Sequence, residues 1–129
     1  MTADTEKELG RRRDLLGRWI PAETAVAPTR GVDHVAIFAK DLEATAAFYS
    51  TVMDMSVIGV TANRDEPEST HMNVDVGNGM MLSFFDFPHV PRLRRRAPEG
   101  VGNVMHIALA ITRERYAEVR SRLDESWVD

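Results

Sequence analysis

Two of the four histidines stand in nearly the same sequence context, and histidine is well suited to bind a metal or transfer a proton near neutral pH. His34 opens the run His-Val-Ala-Ile, and His106 opens the run His-Ile-Ala-Leu, 72 residues further along the chain. A repeat at that separation predicts two copies of one structural unit packed together. His34 and His106 are therefore the first candidates for a shared divalent metal site.

The side chains around both histidines alternate as they would on β-strands. In a strand, His34, Ala36 and Phe38 share one face, while Val35, Ile37 and Ala39 share the other. The aliphatic face suits packing beneath a helix. The histidine stands beside a small alanine on the opposite face, which leaves room there for a metal ion and a ligand. Residues 104–111 repeat the alternation, which predicts that Ile107 and Leu109 are also buried against a helix.

The elements needed to position these histidines can be predicted from the chain in order. Asp41 is a suitable N-cap for a helix over residues 42–55. The Asn78-Gly79 pair predicts a tight hairpin, because both turn residues need positive φ. The predicted strands are residues 32–39, 56–62, 72–76, 80–87 and 104–111. A last helix follows from Thr112, and its apolar face consists of Tyr116, Val119, Leu123 and Trp127.

Residues 1–30 are interpreted as an N-terminal extension. Its first ten residues are polar and are expected to be mobile, and residues 11–20 are predicted to form a short helix. The domain then covers residues 31–129. Within it, residues 31–88 form a first module, residues 89–102 a linker and residues 103–129 part of a second module.

Composition excludes several classes of protein. A chain of 129 residues provides one core, and a net charge of −4 argues against general nucleic-acid binding. The absence of cysteine excludes disulfides and thiolate chemistry. No apolar run reaches the roughly 20 residues of a membrane span, and the N-terminus has no apolar signal core, so we expect a cytoplasmic protein.

The motifs together resemble the vicinal-oxygen-chelate superfamily, which includes glyoxalases, bleomycin-resistance proteins and extradiol dioxygenases. The resemblance rests on the stretch from His34 to Ile37, on Asp41-Leu42-Glu43, on Phe48-Tyr49 and on residues 104–108. It implies an α+β fold in which βαβββ modules form an open, barrel-like sheet around a divalent metal. It also implies that His34 and His106 are metal ligands, and that a carboxylate from the last strand of the second module completes the set.

The chain departs from this pattern at two places that affect the site. Ser83 stands where the glyoxalase and epimerase branches resemble one another in having a further Glu or Gln ligand. The last three strands of a second module, which would need roughly 40 more residues, are not in the sequence. The second module is thus expected to be truncated, or to be completed by a partner chain in a homodimer or higher oligomer.

Within the superfamily, two histidines and one carboxylate form the ligand set of extradiol ring-cleavage dioxygenases. The resemblance therefore implies an iron(II)-dependent oxidoreductase that opens a catechol-like aromatic ring with O₂, with Mn(II), Zn(II) or Ni(II) as alternative metals. His89 would be its acid–base residue by position, although a solvated loop histidine is the competing interpretation. Alternative functions are a fosfomycin-type thiol transferase, isomerase or lyase, and a non-enzymatic protein that sequesters a small molecule.

Three further groups of residues have an ordinary structural explanation beside a functional one. Arg92, Arg94, Arg95 and Arg96 form a solvated loop or contact an anionic substrate. His71 fills the third strand or faces the cavity. Phe84 and Phe85 alternate on one strand, so one of them lines the cavity, where an aromatic substrate would stack.

Overall fold

A computed structural model of the chain describes residues 2–91 and 99–126. The arginine cluster Arg92–Arg96 and Trp127 lie outside the described residues. The chain divides between Gly31 and Val32 into two compact units. Across these described ranges, no helix combines the length and the apolar character needed to cross a membrane.

The first unit contains α1 (Ala3–Trp19), which begins earlier than the sequence indicated. The short helix predicted over residues 11–20 therefore covers only the second part of α1, and residues 3–10 belong to the same helix. Thr2 caps the helix by accepting a hydrogen bond from the Thr5 amide at 3.3 Å. The residues that follow include several with high helix propensity and no proline, so nothing in the sequence ends the helix before Trp19.

The second unit is built on one mixed sheet of four strands. Its elements are β1 (His34–Phe38), α2 (Leu42–Ala47), a π-helix (Phe48–Val52), β2 (Val57–Ala62), β3 (Thr70–Gly77), β4 (Met80–Asp86) and α3 (Arg113–Ser126). The strand order is β1-β4-β3-β2, in which β1 runs parallel to β4 and the other pairs are antiparallel. The predicted βαβββ order is confirmed for this module, and the sheet is open.

Two local predictions around the sheet are confirmed. Asp41 caps α2, because its Oδ1 accepts a hydrogen bond from the Ala44 amide at 2.9 Å. Asn78 and Gly79 have φ values of 54° and 76°, as the two central residues of a tight hairpin require. The helix predicted over residues 42–55 is not regular to its end, however. It is α-helical only to Ala47 and continues as the π-helix Phe48–Val52.

The core lies between the sheet and α2. Met72, Val74, Leu82 and Phe84 are buried there, and Val35 and Ile37 pack against them from β1. The prediction that these two β1 side chains face the helical layer is therefore confirmed. The opposite surface of the sheet is turned away from this core and carries the alternate residues of each strand.

The prediction of a strand at residues 104–111 is wrong for this structure. These residues have no regular secondary structure, and Ile107 is exposed rather than packed beneath a helix. Leu109 is partly buried and lies beside α3 in a cavity wall. A strand needs a partner for its backbone groups, and the local alternation of side chains does not supply one.

Helix α3 is fastened to the sheet module at the end of the π-helix. Arg115 bonds to the Asp54 and Glu118 carboxylates, and Arg122 Nε donates to the Val52 carbonyl oxygen at 2.8 Å. The hydrogen bond from Arg115 and its positive charge hold the pKa of the Asp54 carboxyl below its ordinary value. Asp54 has φ of 57°, a left-handed conformation that aspartate tolerates.

Candidate functional site

We call the surface of the sheet opposite the core the open face. The register of the strands places the side chains of this face in three rows. The first row contains His34, Met81 and Asp75; the middle row Ala36, Ser83, Asn73 and Gly59; the end row Phe38, Phe85, His71 and Thr61. Neighbouring rows are two residues apart along the strands, which is about 6.6 Å. The candidate ligand His34 and the aromatic side chains of the end row thus lie at different positions along the strands.

His34 lies in the first row and is exposed. Its Nδ1 is 2.6 Å from Asp33 Oδ1, a pairing that fixes the imidazole ring and leaves Nε2 available. Metal-binding histidines commonly donate their second ring nitrogen to a carboxylate in this way. Asp33 and His34 therefore fit one ligand position of a divalent metal together with its supporting hydrogen bond.

The middle row forms a floor of small side chains next to His34. Ala36 and Gly59 leave space above the sheet, while the Ser83 hydroxyl donates to Asn73 Oδ1 at 2.7 Å. Ser83 is buried, and its hydroxyl is used within the sheet. The position at which some branches of the resembling superfamily have a fourth ligand is therefore occupied by a structural hydrogen bond.

Aromatic rings dominate the end row. His71 stacks on Phe85 with ring centroids 4.3 Å apart and an angle of 9° between the planes. Phe87 lies 5.7 Å from Phe85 and 5.5 Å from Phe38. Phe84 is in the core, so Phe85 is the member of that pair on the open face. This row is four residues beyond His34 along β1, which corresponds to about 13 Å.

His106 lies in the irregular segment and is exposed. Among residues 2–91 and 99–126, no three His, Asp or Glu side chains are grouped so that they could hold a metal ion. The described residues thus fit a single ligand position and not a complete set. The pairing of His34 with His106 at one metal stays a prediction.

His89 follows β4 on the aromatic side of the sheet. Its Nδ1 is 2.8 Å from Glu66 Oε1, and its ring lies edge-on to Phe87 with centroids 5.6 Å apart. The Glu66 contact orients the imidazole and joins the segment after β4 to the loop between β2 and β3. The acid–base role of His89 stays a prediction.

Sequence reasoning missed three contacts that shape this region. The Asp33–His34 pair is readable from adjacent residues, since an Asp beside a candidate ligand can support it. The Ser83–Asn73 pair needs the register of β3 on β4, and the His89–Glu66 pair joins two loops 23 residues apart. Neither of these two contacts has a local sequence signal.

Comparison with known proteins identifies the fold. Residues 31–118 match the family model described as Glyoxalase/Bleomycin resistance protein/Dioxygenase superfamily. No curated protein matches the chain. Among solved structures, the crystal structure of SMU.1112c is similar with 17% sequence identity and a TM-score of 0.48, and the match covers 78% of this chain and 77% of that one. Because the family model spans more than half of the sequence, the chain belongs to the glyoxalase/bleomycin resistance protein/dioxygenase superfamily.

Proposed function

We propose that the open face is a small-molecule site and that the chain is a metal-dependent oxidoreductase of this superfamily that opens a catechol-like ring with O₂. One observation carries the proposal: an imidazole fixed by a carboxylate stands beside a floor of small side chains. His34 provides the ligand nitrogen, and Asp33 holds the ring so that Nε2 faces away from the carboxylate. Membership of the superfamily supports this proposal, because dioxygenases are one of the groups that it contains.

The middle row would receive the ring of the substrate. Ala36 and Gly59 leave space for a flat molecule above the sheet. Because Asn73 Oδ1 accepts from Ser83, the Asn73 amide nitrogen can donate to an oxygen of the substrate. A planar molecule bearing two adjacent oxygens fits such a floor, with its oxygens directed toward the first row.

His34 and His106 are the proposed protein ligands of a divalent metal, iron(II) in first place, with Mn(II), Zn(II) or Ni(II) as alternatives. When bound, iron(II) supplies open coordination positions for a bidentate substrate and for dioxygen. A third, carboxylate ligand is needed in addition to the two histidines. His89 is the proposed proton-transfer residue, and its Glu66 contact would orient the ring for that role.

A partner chain is part of the proposal, because the described residues leave the ligand set incomplete. We propose a cytoplasmic homodimer or higher oligomer in which a second copy covers exposed apolar side chains of the irregular segment. These side chains are Val104, Met105, Ile107 and Ile111. Exposed apolar groups in one stretch favour association.

The test combines metal binding with oxygen uptake. Purified protein is loaded anaerobically with iron(II), catechol is added, and O₂ consumption is recorded on mixing with air-saturated buffer. We expect His34→Ala to lose metal affinity and activity, and Asp33→Ala to weaken metal binding by about 10- to 100-fold. His71→Ala is the matched control, since it removes an imidazole from the end row of the same face. Equal iron binding by wild-type protein and His34→Ala would contradict the proposal.

A second candidate is a binding protein that sequesters a small molecule without catalysis. It is favoured by the lack of any three-donor group among residues 2–91 and 99–126. Catechol affinity that is unchanged by a chelator, without O₂ uptake, would support it. Tight zinc or manganese binding without O₂ uptake would instead favour a thiol transferase, isomerase or lyase.

A further inference from the structure

A separate cavity of about 270 Å³ lies at the carboxyl ends of the parallel strands β1 and β4. We name it the carboxyl-end cavity. Segments that leave the carboxyl ends of two neighbouring parallel strands can enclose a ligand between them, as they do in open α/β sheets. The walls of the cavity include Phe38, Lys40, Phe85, Asp86 and Phe87.

Three phenylalanines give the cavity an aromatic wall. Phe87 stands edge-on to Phe38, with centroids 5.5 Å apart and an angle of 83°, and lies tilted by 30° to Phe85 at 5.7 Å. Phe38 is 64% exposed, which is high for a residue of this size inside a strand. Faces and edges of aromatic rings at these angles favour a planar aromatic guest over a branched aliphatic one.

Two side chains of opposite charge line the cavity, Lys40 and Asp86. Asp86 takes part in an interaction of its own. Lys40 makes no ion pair or side-chain hydrogen bond with any residue of the described ranges, so its ammonium group is available to a ligand. A lysine beside an aromatic wall suits a ring that carries an anionic group.

We propose that the carboxyl-end cavity binds a planar aromatic carboxylate, with its ring against Phe38 and Phe87 and its carboxylate on Lys40. Phe38 and Phe85 belong to the end row of the open face, and that row lies four residues beyond His34 along β1, or about 13 Å away. The cavity is therefore separate from the first and middle rows, in which the proposed function places its metal and substrate. It needs no metal ion. The inference therefore goes beyond the proposed function and does not depend on it.

The experiment uses benzoate as the probe, titrated into the full, chelator-treated chain and followed by two-dimensional amide NMR. Shifts are expected to centre on residues 38–40 and 85–87. Benzyl alcohol, which keeps the ring and lacks the charge, should bind more weakly, and benzylamine more weakly still. Lys40→Gln should weaken benzoate binding by about tenfold or more. Lys7→Gln, at the only other lysine, is the matched control and should leave it unchanged.

Phe38→Ala provides a second variant, and it should fold because Phe38 is largely exposed. It should weaken both benzoate and benzyl alcohol, whereas Lys40→Gln should affect benzoate alone. Tighter binding of benzylamine than of benzoate, equal benzoate affinity in Lys40→Gln, or no shifts at residues 38–40 would each overturn the inference. Shifts centred on His34 and Ala36 would overturn it as well, while leaving the proposed function standing.

Discussion

Residues 34–37 and residues 106–109 carry the same alternation of a histidine, aliphatic side chains and an alanine, yet they are held in different ways. The first stretch is a strand that pairs with β4 over five residues, from His34 with Met81 to Phe38 with Phe85. The second has no strand partner within the described residues and is mostly exposed. The two stretches are therefore similar in sequence, but only the first has a neighbouring strand paired with it.

This difference shows how little of strand formation is local. In β1, the hairpin of β3 and β4 provides both a row of backbone partners and an apolar layer for Val35 and Ile37. An isolated strand gains neither, and β-propensity measures mainly such packing. The segment around His106 thus has a strand pattern but pairs with no strand among the described residues.

The comparison predicts the largest contrast in amide hydrogen exchange. The amides of Val35 and Ile37 point toward β4, as the neighbouring bond from the Ala39 amide to the Phe85 carbonyl shows. They should exchange slower than those of Ile107 and Leu109 by about three orders of magnitude or more, because protection follows the free energy of local opening. NMR-detected exchange on dilute protein measures this. Protection of residues 107–109 that rises with protein concentration would sharpen the comparison, since it would indicate strand pairing in an oligomer. Equal protection of both stretches at all concentrations would break it.

Two methionines allow the same contrast to be measured as stability. Met72 is 3% exposed in the core, and Met105 is 71% exposed beside His106. Met72→Ala should lower the free energy of unfolding by about 2–5 kcal/mol through lost contacts and a residual cavity. In dilute, monomeric protein, Met105→Ala should change it by about 0.5 kcal/mol or less. Urea unfolding of the two variants at low protein concentration provides the measurement. A loss in Met105→Ala that appears only at high concentration would agree with cover by a second copy, and similar losses in both variants at every concentration would break the contrast.

The two helix caps give a smaller contrast. Asp41 accepts the Ala44 amide at 2.9 Å, whereas Thr112 accepts the Arg115 amide at 3.3 Å. Asp41→Ala should destabilise the protein by about 1 kcal/mol, as the loss of a good N-cap does. Thr112→Ala should cost less, because its bond is longer. Thermal unfolding of both variants tests the order, and a larger loss for Thr112→Ala would show that α3 contributes more than its contacts suggest.

The smallest effect concerns the attachment of α3 through Asp54 and Arg115. The hydrogen bond from Arg115 lowers the pKa of Asp54 in the folded chain, so the pair stabilises the fold above the unfolded pKa of about 3.8. That contribution is lost as the pH falls through the lower, folded pKa. Asp54→Asn keeps a residue that tolerates positive φ and removes the charge. Its stability deficit should be small at pH 7, because the pair is exposed, and should vanish in acid. A deficit that is independent of pH would exclude the ion pair as the cause.

Much of the sheet module was predictable because its signals are local. The Asp41 cap, the Asn78-Gly79 turn and the alternation in β1 each act through a few neighbouring residues, and each agrees with the structure. The start of α1 was missed because polar residues without an apolar stripe were assumed to lie outside a helix. The strand predicted at residues 104–111 was wrong because a strand needs a partner strand, and the alternation within the segment does not provide one.

The candidate site was less predictable than the fold. Position on one face was readable for His34 and Ala36, because alternation alone decides it. The placement of Phe85 and His71 in one row with Phe38 was not, because it depends on how β1, β3 and β4 are aligned. The same register places Phe85 far from His34, beside which the proposed aromatic substrate would bind. The distance between two side chains on different strands is set by the register in which the strands pair.

The π-helix at Phe48–Val52 determines how the gene would tolerate the loss of one codon. Its hydrogen bond from the Met53 amide to the Phe48 carbonyl spans five residues, so this turn holds about one residue more than a regular α-helical turn. A one-codon deletion here would let the turn close as a regular α-helical turn, with about the same total rotation of the chain. The same deletion within α2 would rotate everything after it by about 100° around the helix axis. The direction from which Arg122 of α3 reaches the end of this turn is therefore less sensitive to a deletion in the π-helix than to one in α2.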